Sequence, residues 1–174
     1  AALYEHGSGD RRGARLLGRV WCLFRRFRPL RCGAQRCNAY AMDPMGDGKP
    51  LSETALRDVI PGLREHPTTL VFLAWLDSNP VGLAICFRGY STFAARPLVN
   101  ISDYFVFPQH RGLGIGRRLI SAIEHRAREL GCCRLTLEVQ ENNHHARRVY
   151  AAAGFAQAVY VPEAGGSFYL CKNL

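Results

Sequence analysis

The clearest periodicity in the chain lies between Ile115 and Leu130, where apolar residues at 115, 119, 123, 127 and 130 recur as one helical stripe. Arg117, Arg118, Ser121, Glu124, Arg128 and Glu129 take the remaining faces, so a helix is predicted there. Three β-branched and aromatic runs precede it: TTLVFLAWL (68–76), VGLAICFRGY (81–90) and LVNISDYFVF (98–107). The turn DSNP (77–80) makes the first two an antiparallel pair, and Pro108 ends the third. Upstream, LSETALRDVIPGL (51–63) opens on Ser52 as an N-cap, but Ala55 stands where a capping box has its acid. Downstream, CRLTLEV (133–139) alternates as a strand and NHHARRVYAAAGF (143–155) predicts a short helix ended by Gly154. Two further strand candidates, 156–161 and 167–172, close the chain. Helix, strand pair, strand, helix, strand, helix, strand, strand is a mixed α/β (α+β) order with antiparallel pairs, unlike a doubly wound repeat.

A chain of 174 residues supports one compact domain with a real core and is short for two. The net charge of +9 suggests nucleic acid until it is located. Residues 11–37 hold nine Arg and no acid, whereas residues 38–174 carry 14 basic and 12 acidic side chains. The expected division is therefore an Arg-rich segment, 1–37, with no clean strand or capped helix, and a main domain, 38–174, for which no nucleic-acid partner is expected. The segment reads as a basic arm for a membrane surface or nucleic acid, a transit peptide, or an irregular extension. The apolar run Leu70 to Leu76 is far short of the ~20 residues that a membrane helix needs, so no span is expected. Seven cysteines, with Cys132 and Cys133 adjacent and Cys22, Cys32 and Cys37 off metal-knuckle spacing, read as free thiols in a reducing cytoplasm, with no metal.

Chemistry concentrates at FPQHRGLGIGRRL (107–119), a predicted strand-to-helix junction with three glycines and three Arg. The first amides of a helix lack internal partners and sit at its positive end, and glycine lets an anion approach them. Pyrophosphate suits such a turn. Two familiar phosphate loops do not fit: no Lys follows Gly112-x-x-x-Gly116, and Arg117 occupies the third glycine position of a dinucleotide fingerprint.

The stretch VFPQHRGLGIGRRLI resembles the strand–loop–helix signature of the GNAT N-acyltransferases, V-x-P followed by R-x-x-G-x-G, through Val106, Pro108, Arg111, Gly114 and Gly116. NHHARRVYAAAGF resembles that family's N-x-x-A-x-x-x-Y-x-x-x-G-F through Asn143, Ala146, Tyr150, Gly154 and Phe155. The resemblance covers residues 38–174. It implies a mostly antiparallel, twisted GNAT-type sheet flanked by helices, acetyl-CoA as co-substrate, and transfer of an acetyl group to an amine.

The resemblance also distributes roles. The backbone of Phe105, Val106 and Phe107 would hold the pantetheine arm and supply the oxyanion donor. Arg111, Gly112, Gly114, Ile115, Gly116 and Arg117 would hold the pyrophosphate. Asn143 would bond the pantetheine, as a helix N-cap or beside that role, and Tyr150 would protonate the departing thiolate. Asp103 is the candidate base, with Glu138 on the next strand as the alternative; His144 and His145, adjacent on a helix, read as exposed. YSTFAARPLVNISDYFVFPQHRGLGIG further resembles the diamine (spermidine/spermine) acetyltransferase branch. Asp103 matches an acidic position of that branch, but the neighbouring acid is Ser102 here, so a small primary amine is the expected acceptor and a polyamine one option within that class. A protein or peptide acetyltransferase and a non-catalytic acyl-CoA-binding module are the alternatives, and a homodimer stays open. The strand that begins such domains is not legible in residues 1–37, which implies a weakened acceptor wall.

Overall fold

The computed structural model describes residues 2–4, 19–23, 33–159, 161–166 and 169–172. They form two compact units, Ala1–Leu137 and Glu138–Leu174. In the first lie β1 (Ala2–Tyr4), β2 (Arg19–Leu23), α1 (Gly33–Ala41), α2 (Glu53–Glu65), β3 (Thr69–Leu76), β4 (Asn79–Ser91), β5 (Arg96–Val106), α3 (Ile115–Glu129) and β6 (Leu135–Leu137). The second holds α4 (His144–Ala152) and a 3-10 turn at Pro162–Ala164.

The strands lie in chain order in one sheet, each antiparallel to its neighbour except β6, which runs parallel to β5. β3 is apolar at nearly every position because both of its faces are covered. On one face a Cβ at Gly82 would stand 3.1 Å from Leu119 of α3 and 3.4 Å from Ala74 of β3. Phe72, Leu119 and Ile123 are fully buried, and full burial of one such side chain contributes roughly 1.5–3 kcal/mol. On the other face Val71, Leu73, Leu83 and Ile85 form a core with Cys37 of α1, and Val59, Ile60 and Leu63 of α2 pack against it. Ser52 does cap α2, its Oγ accepting from Ala55 N–H at 3.2 Å.

Two expectations change. Residues 1–37 are not without strands: β2 pairs with β3 from Arg19↔Trp75 to Leu23↔Val71, and Val20 is buried. A strand so short and Arg-flanked shows no pattern of its own; the pairing groups of β3 recruit it. α1 runs across the position 37/38. At the other end, 156–159 and 161 are not strands, nor are 169–172. Their alternation offers β-propensity, but a strand needs a partner, and none pairs with them among the described residues. Residues 160, 167 and 168 lie outside those described.

Candidate active site

The junction after β5 is built in steps. Phe107 N–H donates to Val81 O at 3.1 Å, a 3-10 turn spans Pro108–His110, and Arg111 N–H donates to Pro108 O at 3.2 Å. Gly112 and Gly114 then take φ of 79° and 74°, in the left-handed region that L side chains avoid. Gly114 is the N-cap of α3 and makes no side-chain cap. The first intrahelical bond there is Arg118 N–H to Gly114 O, 3.2 Å, so the amides of Ile115, Gly116 and Arg117 precede the helical ladder. The first turn carries no acid, and Arg117 and Arg118 are exposed. A Cβ at Gly112 or Gly114 would meet nothing within 4 Å. That open, positive cradle of backbone suits a phosphate group. Gly116 has a different reason: its Cβ would fall 2.5 Å from Tyr104 Oη, so β5 and α3 meet there without room for a side chain.

The edge of β5 opens beside this cradle. Its pairing with β6 runs only from Val99↔Leu135 to Ile101↔Leu137. The register with β4 shifts between Ile85↔Asp103 and Cys86↔Ile101, leaving Ser102 as the extra residue of a bulge. Given the Phe107–Val81 bond, the alternation of an antiparallel ladder turns the backbone of Phe105 and Phe107 toward β4. Tyr104 and Val106 turn theirs toward the edge that β6 has left. Val106 C=O accepts from Arg111 Nε there at 3.0 Å.

Asp103, opposite Ile85, is half-buried and has no hydrogen-bond or ion-pair partner among the described residues. Burial raises its carboxyl above the usual range. Its field reaches α1: the Cys37 thiol is pushed to about 11 by burial first and Asp103 second. Tyr40 is raised by burial, then by Asp103 and Asp43. Tyr40 also packs at 5.9 Å from the Phe105 ring, and Phe105 meets Phe107 edge-on at 5.1 Å. Asp43, buried just after α1, is paired with Arg111 and accepts Met45 N–H at 2.9 Å. Arg111 stacks 5.8 Å above the Phe105 ring.

In the unit 138–174, Asn143 caps α4 by accepting from Ala146 N–H at 3.1 Å. Tyr150 is buried, with its ring 5.9 Å from Phe155. His144, His145 and Glu138 are exposed. Among the described residues no cluster of three or more His, Cys, Asp or Glu could hold a metal ion, and no helix is long and apolar enough to cross a membrane.

Residues 35–155 match the family model "Acetyltransferase (GNAT) family". The chain belongs to the GNAT acetyltransferases. It is 32% identical over 120 residues to a Bos taurus thialysine N-epsilon-acetyltransferase, covering 64% of this chain and 69% of that one. Over 84 residues it is 38% identical to a Bacillus subtilis spermine/spermidine N(1)-acetyltransferase, covering 47% of this chain and 55% of that one. The crystal structure of ribosomal-protein-alanine N-acetyltransferase from Brucella melitensis biovar Abortus 2308 superposes with a TM-score of 0.67, covering 90% of this chain and 99% of that one. At 20% identity that likeness speaks for the fold alone.

The acetyltransferase thus gathers Val106, Arg111 and the glycines at the end of β5, turns Asp103 of the same strand toward Cys37 and Tyr40 of α1, and sets Asn143 as the cap and Tyr150 within the body of α4. Sequence reasoning missed Tyr40, Asp43 and Tyr104. Asp43 carries a turn signature, Asp-Pro-x-Gly, which accounts for its bond to Met45 and hides its bond to Arg111. Gly116 held a signal for Tyr104, since a glycine inside a helix often marks close packing.

Proposed function

We propose that this acetyltransferase transfers the acetyl group of acetyl-CoA to the primary amine of a small, cationic molecule. The observation that carries the reading is the half-buried Asp103 carboxylate, which has no partner among the described residues and lies three residues before Val106. A desolvated carboxylate with no cation paired to it among the described residues favours an ammonium from outside and, held above the usual carboxylate range, takes up a proton more readily than an exposed Asp. Two relatives, named for thialysine and for spermine and spermidine, support a small amine.

Acetyl-CoA supplies a thioester; the chain's residues bind and steer around it. The amides of Ile115, Gly116 and Arg117, with the Arg117 side chain, receive the pyrophosphate, and the backbone of β5 receives the pantetheine; the family resemblance gives Asn143 a pantetheine bond as well. Asp103 binds the ammonium and accepts its proton. The freed nitrogen then forms the C–N bond, and the Val106 N–H donates to the oxygen that gains charge. As the C–S bond breaks, the Tyr150 hydroxyl gives its proton to the leaving sulfur; the second proton, which the nitrogen sheds on becoming an amide, passes to water, and water reprotonates Tyr150. We propose too that the domain draws on residues before 38, since β2 extends the sheet.

The test is acetyl transfer, read by product mass, with a panel of polyamines, amino acids, aminoglycosides and a Lys peptide. Turnover confined to the small amines supports the reading. Preference for the peptide would replace it with a protein acetyltransferase, and acetyl-CoA binding without any turnover would replace it with a binding module.

A further inference from the structure

The first Arg of the R-x-x-G-x-G turn does not stand loose at the mouth of the cradle. Arg111 Nη2 donates to Asp43 Oδ2 and Nε to Val106 O, and the guanidinium covers the Phe105 ring. Asp43 is itself fixed. Its other oxygen accepts Met45 N–H, its carbonyl accepts Gly46 N–H at 2.8 Å, and Asp47 N–H returns to Ala41 O at 3.1 Å. A Cβ at Gly46 would strike the Tyr40 carbonyl oxygen, so this turn closes directly on the end of α1. Leu51 N–H ties the far end of the loop to Asn38 Oδ1 at 2.8 Å. A buried carboxylate on a pinned loop therefore spans from the end of α1 to the cradle.

We infer that Asp43 is a positioning residue, which commits the Arg111 side chain to the end of β5 and thereby fixes the glycine turn for the co-substrate. Arg111 then serves coenzyme A through where it holds the backbone, and the charge offered to the pyrophosphate comes from Arg117 and the helix amides. With its carbonyl held by Arg111, Val106 offers its N–H as the donor at the opened edge. The inference rests on the acetyl-CoA reading of the site.

Asp43→Asn, Arg111→Lys and the double variant test it, with CoA affinity measured by calorimetry and KM for acetyl-CoA and for the amine measured separately. Asn keeps the bond to Met45 without the charge. Lys keeps the charge and loses the two-pronged reach. Each single variant should weaken CoA about tenfold and raise KM for acetyl-CoA in step, the double no more than either alone, with amine KM changed less than threefold. Two results overturn the inference. If Arg111→Lys keeps CoA affinity and Asp43→Asn leaves it unchanged or tighter, the guanidinium acts as a charge on the pyrophosphate. If only the melting temperature falls, the pair is structural. Should Asp43→Asn not fold, Arg111→Lys decides alone. Wild-type CoA binding requires no acceptor, so failure to bind CoA would refute the acetyl-CoA reading itself, a separate result.

Discussion

Gly116→Ala is a small change with a calculable outcome. The new methyl would sit 2.5 Å from Tyr104 Oη, while the next ring atom, Cζ, is at an ordinary 3.6 Å. Tyr104 must swing away or β5 and α3 must part, and such overpacking costs about 1–3 kcal/mol. Against this, Ala is favoured over Gly within a helix by roughly 0.8–1 kcal/mol. With Tyr104 present the variant should lose about 1 kcal/mol of stability in urea denaturation, with weakened acetyl-CoA binding. In a Tyr104→Phe background the clashing oxygen is gone, and Gly116→Ala should become neutral or stabilising by about 0.5–1 kcal/mol. The sign reversal is the signature. Equal destabilisation in both backgrounds would show that Gly116 is required for something other than contact with Tyr104.

Further outcomes follow from the same geometry. Tyr150→Phe should lower kcat about 100-fold or more, in the range of general acid catalysis, while CoA affinity holds in calorimetry. Among the described cysteines, Cys171 is exposed whereas Cys37 and Cys86 are buried. With the Cys37 thiol pushed to about 11, a thiol reagent followed by mass mapping should label Cys171 first, and Cys37 and Cys86 only on unfolding. Asp103 binds its proton more tightly folded than unfolded, so its contribution to stability is present below the ordinary carboxylate pKa and is lost as pH rises through the raised one. Asp103→Asn should therefore be more stable than wild type at neutral pH, with the difference shrinking toward acid in denaturation curves.

The sequence made the middle of the fold readable because its signals there are local. The stripe from Ile115, the DSNP turn, Pro108 after β5 and Asn143 with Gly154 around α4 each act within a few residues, and Gly154 takes the left-handed φ of 88°. β2 was not readable because pairing with β3 makes it a strand, whereas its own five residues lie among arginines. The 156–161 candidate failed for the converse reason: its alternation finds no partner strand among the described residues. The same contrast holds at the site. Gly112 and Gly114 announce backbone geometry in their own identity, but Asp43 and Arg111 are 68 positions apart, and their union follows only from α1 and β5 being brought together by the sheet.

The pH profile of kcat/KM for the best small amine, in wild type and in Asp103→Asn, tests Asp103 as the base. If Asp103 is the base, the wild-type profile rises through a carboxyl group titrating above the usual range. Asp103→Asn should lose that limb, fall by about 100- to 10,000-fold near neutral pH, and recover only as the free amine fraction grows in alkali. A variant that keeps the wild-type rate and profile would remove Asp103 from the chemistry.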